Sequence, residues 1–117
     1  MSNQPTSTVA YYNQVSPIGK PILDLLEIEY RESCIATLNH LEYYNDWNFN
    51  CLTGIKYLWR LGQKTKDCRD DILKSIEYFQ WAMNDDLNIL SIERMDCVNT
   101  AQLALYRLLN QMENDTI

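Results

Sequence analysis

The chain has 117 residues, enough for one domain, and 46% of them are apolar, with three Trp, eight Tyr and two Phe to fill a core. Sixteen acidic against ten basic residues give a net charge of −6, which disfavours broad binding to nucleic acid or to an anionic membrane surface. Three Gly and three Pro are too few for a turn-rich all-β protein, and no stretch approaches the roughly 18–20 apolar residues of a membrane span.

Residues 1–18 are polar, with Pro5, Pro17 and several Ser, Thr and Asn, and read as a flexible N-terminal arm; residues 19–117 read as a single all-α domain. The first residues have no basic start and no long apolar run, so no secretory leader is expected and the expected location is a cytoplasm. Pro21 suits the first turn of a helix. Ile22, Leu25, Leu26, Glu29, Tyr30, Ser33, Cys34, Thr37 and Leu41 share one stripe, which predicts a helix over about 21–44, with a break allowed near Arg31. Asn45-Asp46-Trp47-Asn48 is a turn.

A second helix is expected over 49–61, capped by Asn48 or Asn50, with Cys51, Leu52, Ile55, Leu58 and Trp59 on its apolar side. Gly62 suits the left-handed C′ position, and 63–67 is a basic loop. Asp67 then caps a third helix over about 69–83, with Asp70 and Asp71 in its first turn and a stripe of Ile72, Ser75, Ile76, Phe79 and Met83. These two helices are expected to pair as an antiparallel hairpin. Ser91 caps a fourth helix that runs to about Glu113. There Met95, Val98, Ala101, Gln102, Leu105, Leu108, Leu109 and Met112 follow a near-heptad pattern. Its stripe is wider than one intramolecular face needs, which predicts a homo-oligomer through this helix; the alternative is that the whole stripe packs inside the bundle. The expected architecture is a small helical bundle of four helices built on the hairpin.

Charge is unevenly placed. Lys56, Arg60, Lys64, Lys66 and Arg69 concentrate half of the basic residues around the second helix of an otherwise acidic chain. On a helix, Lys56 and Arg60 stand one turn apart on a face separate from Ile55, Leu58 and Trp59. Arg offers a planar fork of donors and Lys a mobile point charge, so the face reads as an anion or phosphate site. The bland alternative is a solvated basic face that balances acidic neighbours.

Other chemistry finds little footing. Cys34, Cys51, Cys68 and Cys97 form no C-x-x-C pair and His40 is the only His, so no zinc site is expected and the cysteines read as free thiols. His40 has no nucleophile elbow or oxyanion loop beside it. Gly19, Gly54 and Gly62 make no phosphate loop, which excludes a P-loop kinase or a Rossmann enzyme. Glu29 and Glu32 have the spacing of half a carboxylate metal site, whereas Asp67 and Asp70 are explained by capping, and no metal or cofactor is assigned.

Residues of about 32–83 resemble a short phage domain family described as nucleotide kinase, which a T-odd phage nucleotide kinase contains. The family pattern Gly-Asn-x-Ile-Lys-Tyr-x-x-Arg, a Lys-rich loop and Asp-Leu-x-Lys-Ala-x-x-Tyr-Leu is matched by three stretches. They are Ile55-Lys56-Tyr57-Leu58-Trp59-Arg60, Gly62-Gln63-Lys64 and Asp71-Ile72-Leu73-Lys74-Ser75-Ile76-Glu77-Tyr78-Phe79. Leu52-Thr53 stands where the family has Gly-Asn, and Lys74-Ser75 where it has Lys-Ala. The resemblance implies ligand contact by Lys56, Tyr57, Arg60, Lys64 and Lys74, with Tyr57 and Trp59 as candidates for stacking a base.

Two functions stay open. One is a phage-type nucleotide- or phosphate-binding protein, either kinase-like or sequestering a nucleotide signal of host immunity; no base or metal ligand declares itself, so turnover is undecided. The other is an acidic protein-interaction module, or inhibitor of a host defence protein, that acts through its surface.

Overall fold

The structure is a computed structural model described over residues 12–43, 47–63 and 67–115. Among these residues there are five helices and no strand: α1 (Lys20–Leu25), α2 (Cys34–Glu42), α3 (Phe49–Trp59), α4 (Arg69–Met83) and α5 (Ile92–Asp115). The fold is all-α as expected, with one helix more than expected because the stretch 21–44 is two helices.

The split has local causes. Glu27 sits at φ 57, in the left-handed region that ends a helix. Ser33 does not continue an apolar stripe. It is the N-cap of α2, extended at φ −139, with its side chain accepting from the Ala36 N–H. Thr37 ties the link down: its hydroxyl accepts from the Arg31 N–H at 2.7 Å and donates to the Ser33 carbonyl at 3.0 Å. Of the expected stripe, Ile22, Leu26, Thr37 and Leu41 are buried, whereas Leu25, Glu29, Tyr30 and Ser33 are exposed around the break, and Ile28 and Leu38, outside the stripe, are buried instead.

α3 and α4 form the antiparallel hairpin. Asn48 caps α3 through its Oδ1, which accepts from the Cys51 N–H, and its Nδ2 donates to the Ala82 carbonyl near the far end of α4. Midway, Ser75 Oγ donates to the Gly54 carbonyl. A Cβ on Gly54 would lie 2.6 Å from the Phe79 ring, so the helix accepts glycine's propensity cost of about 1 kcal/mol to let α4 close in. Gly62 is left-handed at φ 75, but α3 ends at Trp59, so Gly62 lies beyond the C′ position. Cys68, not Asp67, occupies the N-cap position of α4; Asp67 Oδ1 accepts from the Arg69 N–H one residue ahead of that register.

α5 packs on α4 and α1, burying Val98, Ala101 and Leu105, with Ser91 capping it through the Arg94 N–H. Gln102, buried among them, donates to the Ile76 carbonyl at 3.0 Å. Ile55, Leu58, Trp59, Ile72 and Phe79 are fully enclosed between the hairpin and the outer helices. Cys51 and Cys68 are buried, Cys34 and Cys97 half-buried, and all four are free thiols.

The expected arm over 1–18 falls only in part on described residues. Residues 1–11 lie outside the described residues, but Ser16 is fully buried. Its N–H donates to the Trp59 carbonyl at 2.9 Å and its hydroxyl to the Leu61 carbonyl at 2.6 Å, pinning this segment to the end of α3.

Candidate functional site

α3 projects Thr53, Lys56, Tyr57 and Arg60 along adjoining turns, and with Tyr12 they line a cleft of about 160 Å³. Three of the five expected ligand residues therefore meet. The volume is below the roughly 300–1,000 Å³ of sites that enclose a whole small molecule, so the cleft has room for one phosphoryl-sized group with the rest of a ligand lying outward.

The cations in it are not equivalent. Lys56 Nζ pairs with the Glu42 carboxylate of α2, and both side chains are well exposed to solvent. Arg60 is 13% exposed. Its guanidinium lies 4.5 Å over the Tyr57 ring, and its Nη2 is 3.6 Å from Asp71 Oδ1 on α4. Arg60 Nε and Asp71 Oδ2 are buried without a hydrogen-bond partner among the described residues. Tyr57 stacks on Tyr78 of α4 at 5.7 Å and 20°, and Tyr78 meets the edge of Trp81 at 5.1 Å and 89°. Beside the cleft, an aromatic strip thus runs across the hairpin.

Trp59 is fully buried, 5.8 Å from Tyr30, so of its two readings, apolar core and base stacking, it takes the core. The other expected residues are placed differently. Lys74 is exposed on α4 one turn before Tyr78 and does not line the cleft. Lys64, like Lys66, lies outside the described residues. Arg69 turns back onto Asp67 at 3.1 Å; its side-chain and backbone donors hold the Asp67 carboxyl below its ordinary value. His40 is apart from the cleft, against Arg31 and 3.7 Å from Glu29. Glu29 and Glu32 fall in the non-helical link, so their spacing does not put them on one face. Among the described residues no three His, Cys, Asp or Glu side chains converge on a point.

Thr53 and Glu42 join the site without having been singled out by sequence, and Tyr12, an apolar residue of the N-terminal segment able to dock, joins them. Thr53 stands three residues before Lys56, a helical neighbour that the spacing already contained. Glu42 and Tyr12 come from other elements, and nothing in the local pattern of α3 points to them.

Comparisons with family models, with curated proteins and with solved structures find no match to this chain.

Proposed function

We propose that the chain is a phage-type nucleotide- or phosphate-binding protein that works in a cytoplasm and takes the phosphate in the α3 cleft. The observation that carries this is the convergence of Thr53, Lys56, Tyr57 and Arg60, two cations among them, on one phosphoryl-sized space. An exposed pair such as Lys56–Glu42 is worth about 0–1 kcal/mol, whereas a charge-assisted hydrogen bond to phosphate contributes about 1.5–3 kcal/mol. Exchange of the Glu42 carboxylate for a phosphate is therefore downhill. Arg60 needs no such exchange: Tyr57 and Asp71 hold its plane in place. The carboxylates nearest the cations, Glu42 against Lys56 and Asp71 against Arg60, are each held by a cation, so binding without turnover is the reading favoured.

A thermal-shift panel of nucleotides, cyclic nucleotides and inorganic phosphate tests this. A ligand at a hundredfold excess over its Kd adds about 2.7 kcal/mol, which reads as a rise in Tm that grows with concentration. If no phosphate-bearing compound moves the Tm, the proposal fails.

The same reading includes self-association through α5. Beyond the buried Leu105, its stripe continues in Leu108, Leu109 and Met112, which are only half-buried, while Leu103 and Tyr106 are exposed beside them.

A further inference from the structure

Between the end of α4 and the first turns of α5 lies a groove of about 640 Å³ that shares no residue with the α3 cleft. Met83, Leu90 and Met95 contribute to its apolar lining. Ile89 and Ile92 stand at its walls, and they are 76% and 89% exposed, with Leu87 beside them at 92%. Three branched aliphatic side chains held in water within six residues forgo about 1.5–3 kcal/mol each of burial. The link that carries them is well fixed: Asp85 Oδ1 accepts from the N–H groups of both Leu87 and Asn88, and Asn48 Nδ2 donates to the Asn88 carbonyl. A rigid support under exposed apolar groups is the arrangement of a docking surface, not of a loop in search of cover.

The rim identifies the chemistry of the occupant. Glu93 and Asp96 line the groove from α5, and Asp86 is exposed on the link beside it. No Lys or Arg lines the groove; the nearby Arg94 turns away, its guanidinium 4.2 Å over the Trp47 ring. We propose that this groove binds an amphipathic helix of a partner protein, with aliphatic anchors on one face and Lys or Arg flanking them. The methionines suit such a role, since flexible thioether side chains repack around anchors of different shape. Acidic rims opposite basic flanks steer encounter and set orientation, while the apolar anchors supply the affinity. A second copy of this acidic chain would bring like charge to the rim, which is why a basic partner is favoured over self-pairing here.

The test uses the full chain and a fluorescein-labelled synthetic amphipathic helix of leucine and lysine, read by anisotropy. A peptide of the same composition with the apolar period scrambled, and one with glutamate for lysine, are run beside it. The expected result is saturable binding of the basic amphipathic peptide alone. Ile92→Glu and Ile89→Glu, at exposed positions that leave the thermal melt unchanged, should each weaken it about tenfold or more. The double charge reversal Glu93→Lys with Asp96→Lys should move the preference to the glutamate peptide. Absence of saturable binding overturns the proposal, and so does equal binding of the scrambled peptide, which would mean charge attraction alone. A dimer in light scattering that Ile92→Glu dissolves also overturns it, because the occupant would then be a second copy.

Discussion

Arg60 and Asp71 face each other across the hairpin at 3.6 Å with 13% and 12% of their side chains exposed. Removing one partner from such a pair strands the other in a low-dielectric place, and at this partial burial Arg60→Ala should cost about 1–3 kcal/mol in urea unfolding. Asp71→Ala made together with it should recover part of that loss; a double variant no more stable than Arg60→Ala would show that the pair is not coupled. Sequence reading saw Asp71 as a charge that suits the start of a helix, which is correct locally. It did not reveal the partner eleven residues away, because that pairing exists only once α3 and α4 are aligned. Burial raises Cys51 and Cys68 above the ordinary 9.0, desolvation being the main cause in each. A group whose folded value is raised contributes its stability in full below the unfolded value and loses it as pH rises toward the folded value. The urea midpoint should therefore hold from neutral pH to about pH 9 and fall above it, and Cys51→Ala should flatten that fall. An unchanged alkaline fall in Cys51→Ala would remove this cause.

At the scale of elements, Asn48 joins three segments. Its Oδ1 caps α3, and its Nδ2 reaches the Ala82 and Asn88 carbonyls. It is 5% exposed, so truncation leaves the buried Cys51 N–H and Ala82 carbonyl, and the part-buried Asn88 carbonyl, without their bonds. Asn48→Ala should cost about 2–4 kcal/mol, more than the ~1 kcal/mol of an ordinary cap, as measured by chemical denaturation. A loss near 1 kcal/mol would mean that only the cap counts. The cap itself was legible from the sequence, as were α3, α4 and α5, because strong apolar periodicity and turn chemistry coincide there. α1 and α2 were not separated for a specific reason. The stripe from Ile22 to Leu41 keeps a helical spacing across the break, and Leu26, Ile28, Leu38 and Leu41 all end up buried. A left-handed Glu27 and a capping Ser33 interrupt the backbone and shift which side chains face the core: Leu25, Glu29 and Tyr30 turn out to solvent, and Ile28 and Leu38 turn in.

Over the whole molecule, the acidic chain gathers cations around the end of α3 and leaves aliphatic side chains exposed around the start of α5. The self-association proposed through α5 makes a separate prediction. Leu105 is fully buried, so a charge there would unfold the chain and report nothing about assembly. Leu108→Glu, at a half-buried position, should turn a dimer into a monomer in light scattering at micromolar concentration. A parent chain that is already monomeric would end that part of the account. The α3 cleft was half legible: helical spacing brought out Lys56 and Arg60, and Tyr57 came only from the family resemblance, while Glu42 and the stacking of Tyr57 on Tyr78 needed the fold. The central claim is that this cleft holds phosphate, and calorimetric titration of the parent and of Lys56→Ala tests it most directly, with the nucleotide that most raises the Tm as titrant. Lys56 is solvent-exposed, so the variant should fold as the parent does. The account predicts that its affinity falls about tenfold or more, the loss of one charge-assisted contact. Equal affinity in a normally folded Lys56→Ala would show that the cations of α3 form a solvated surface, and the proposed function would be wrong.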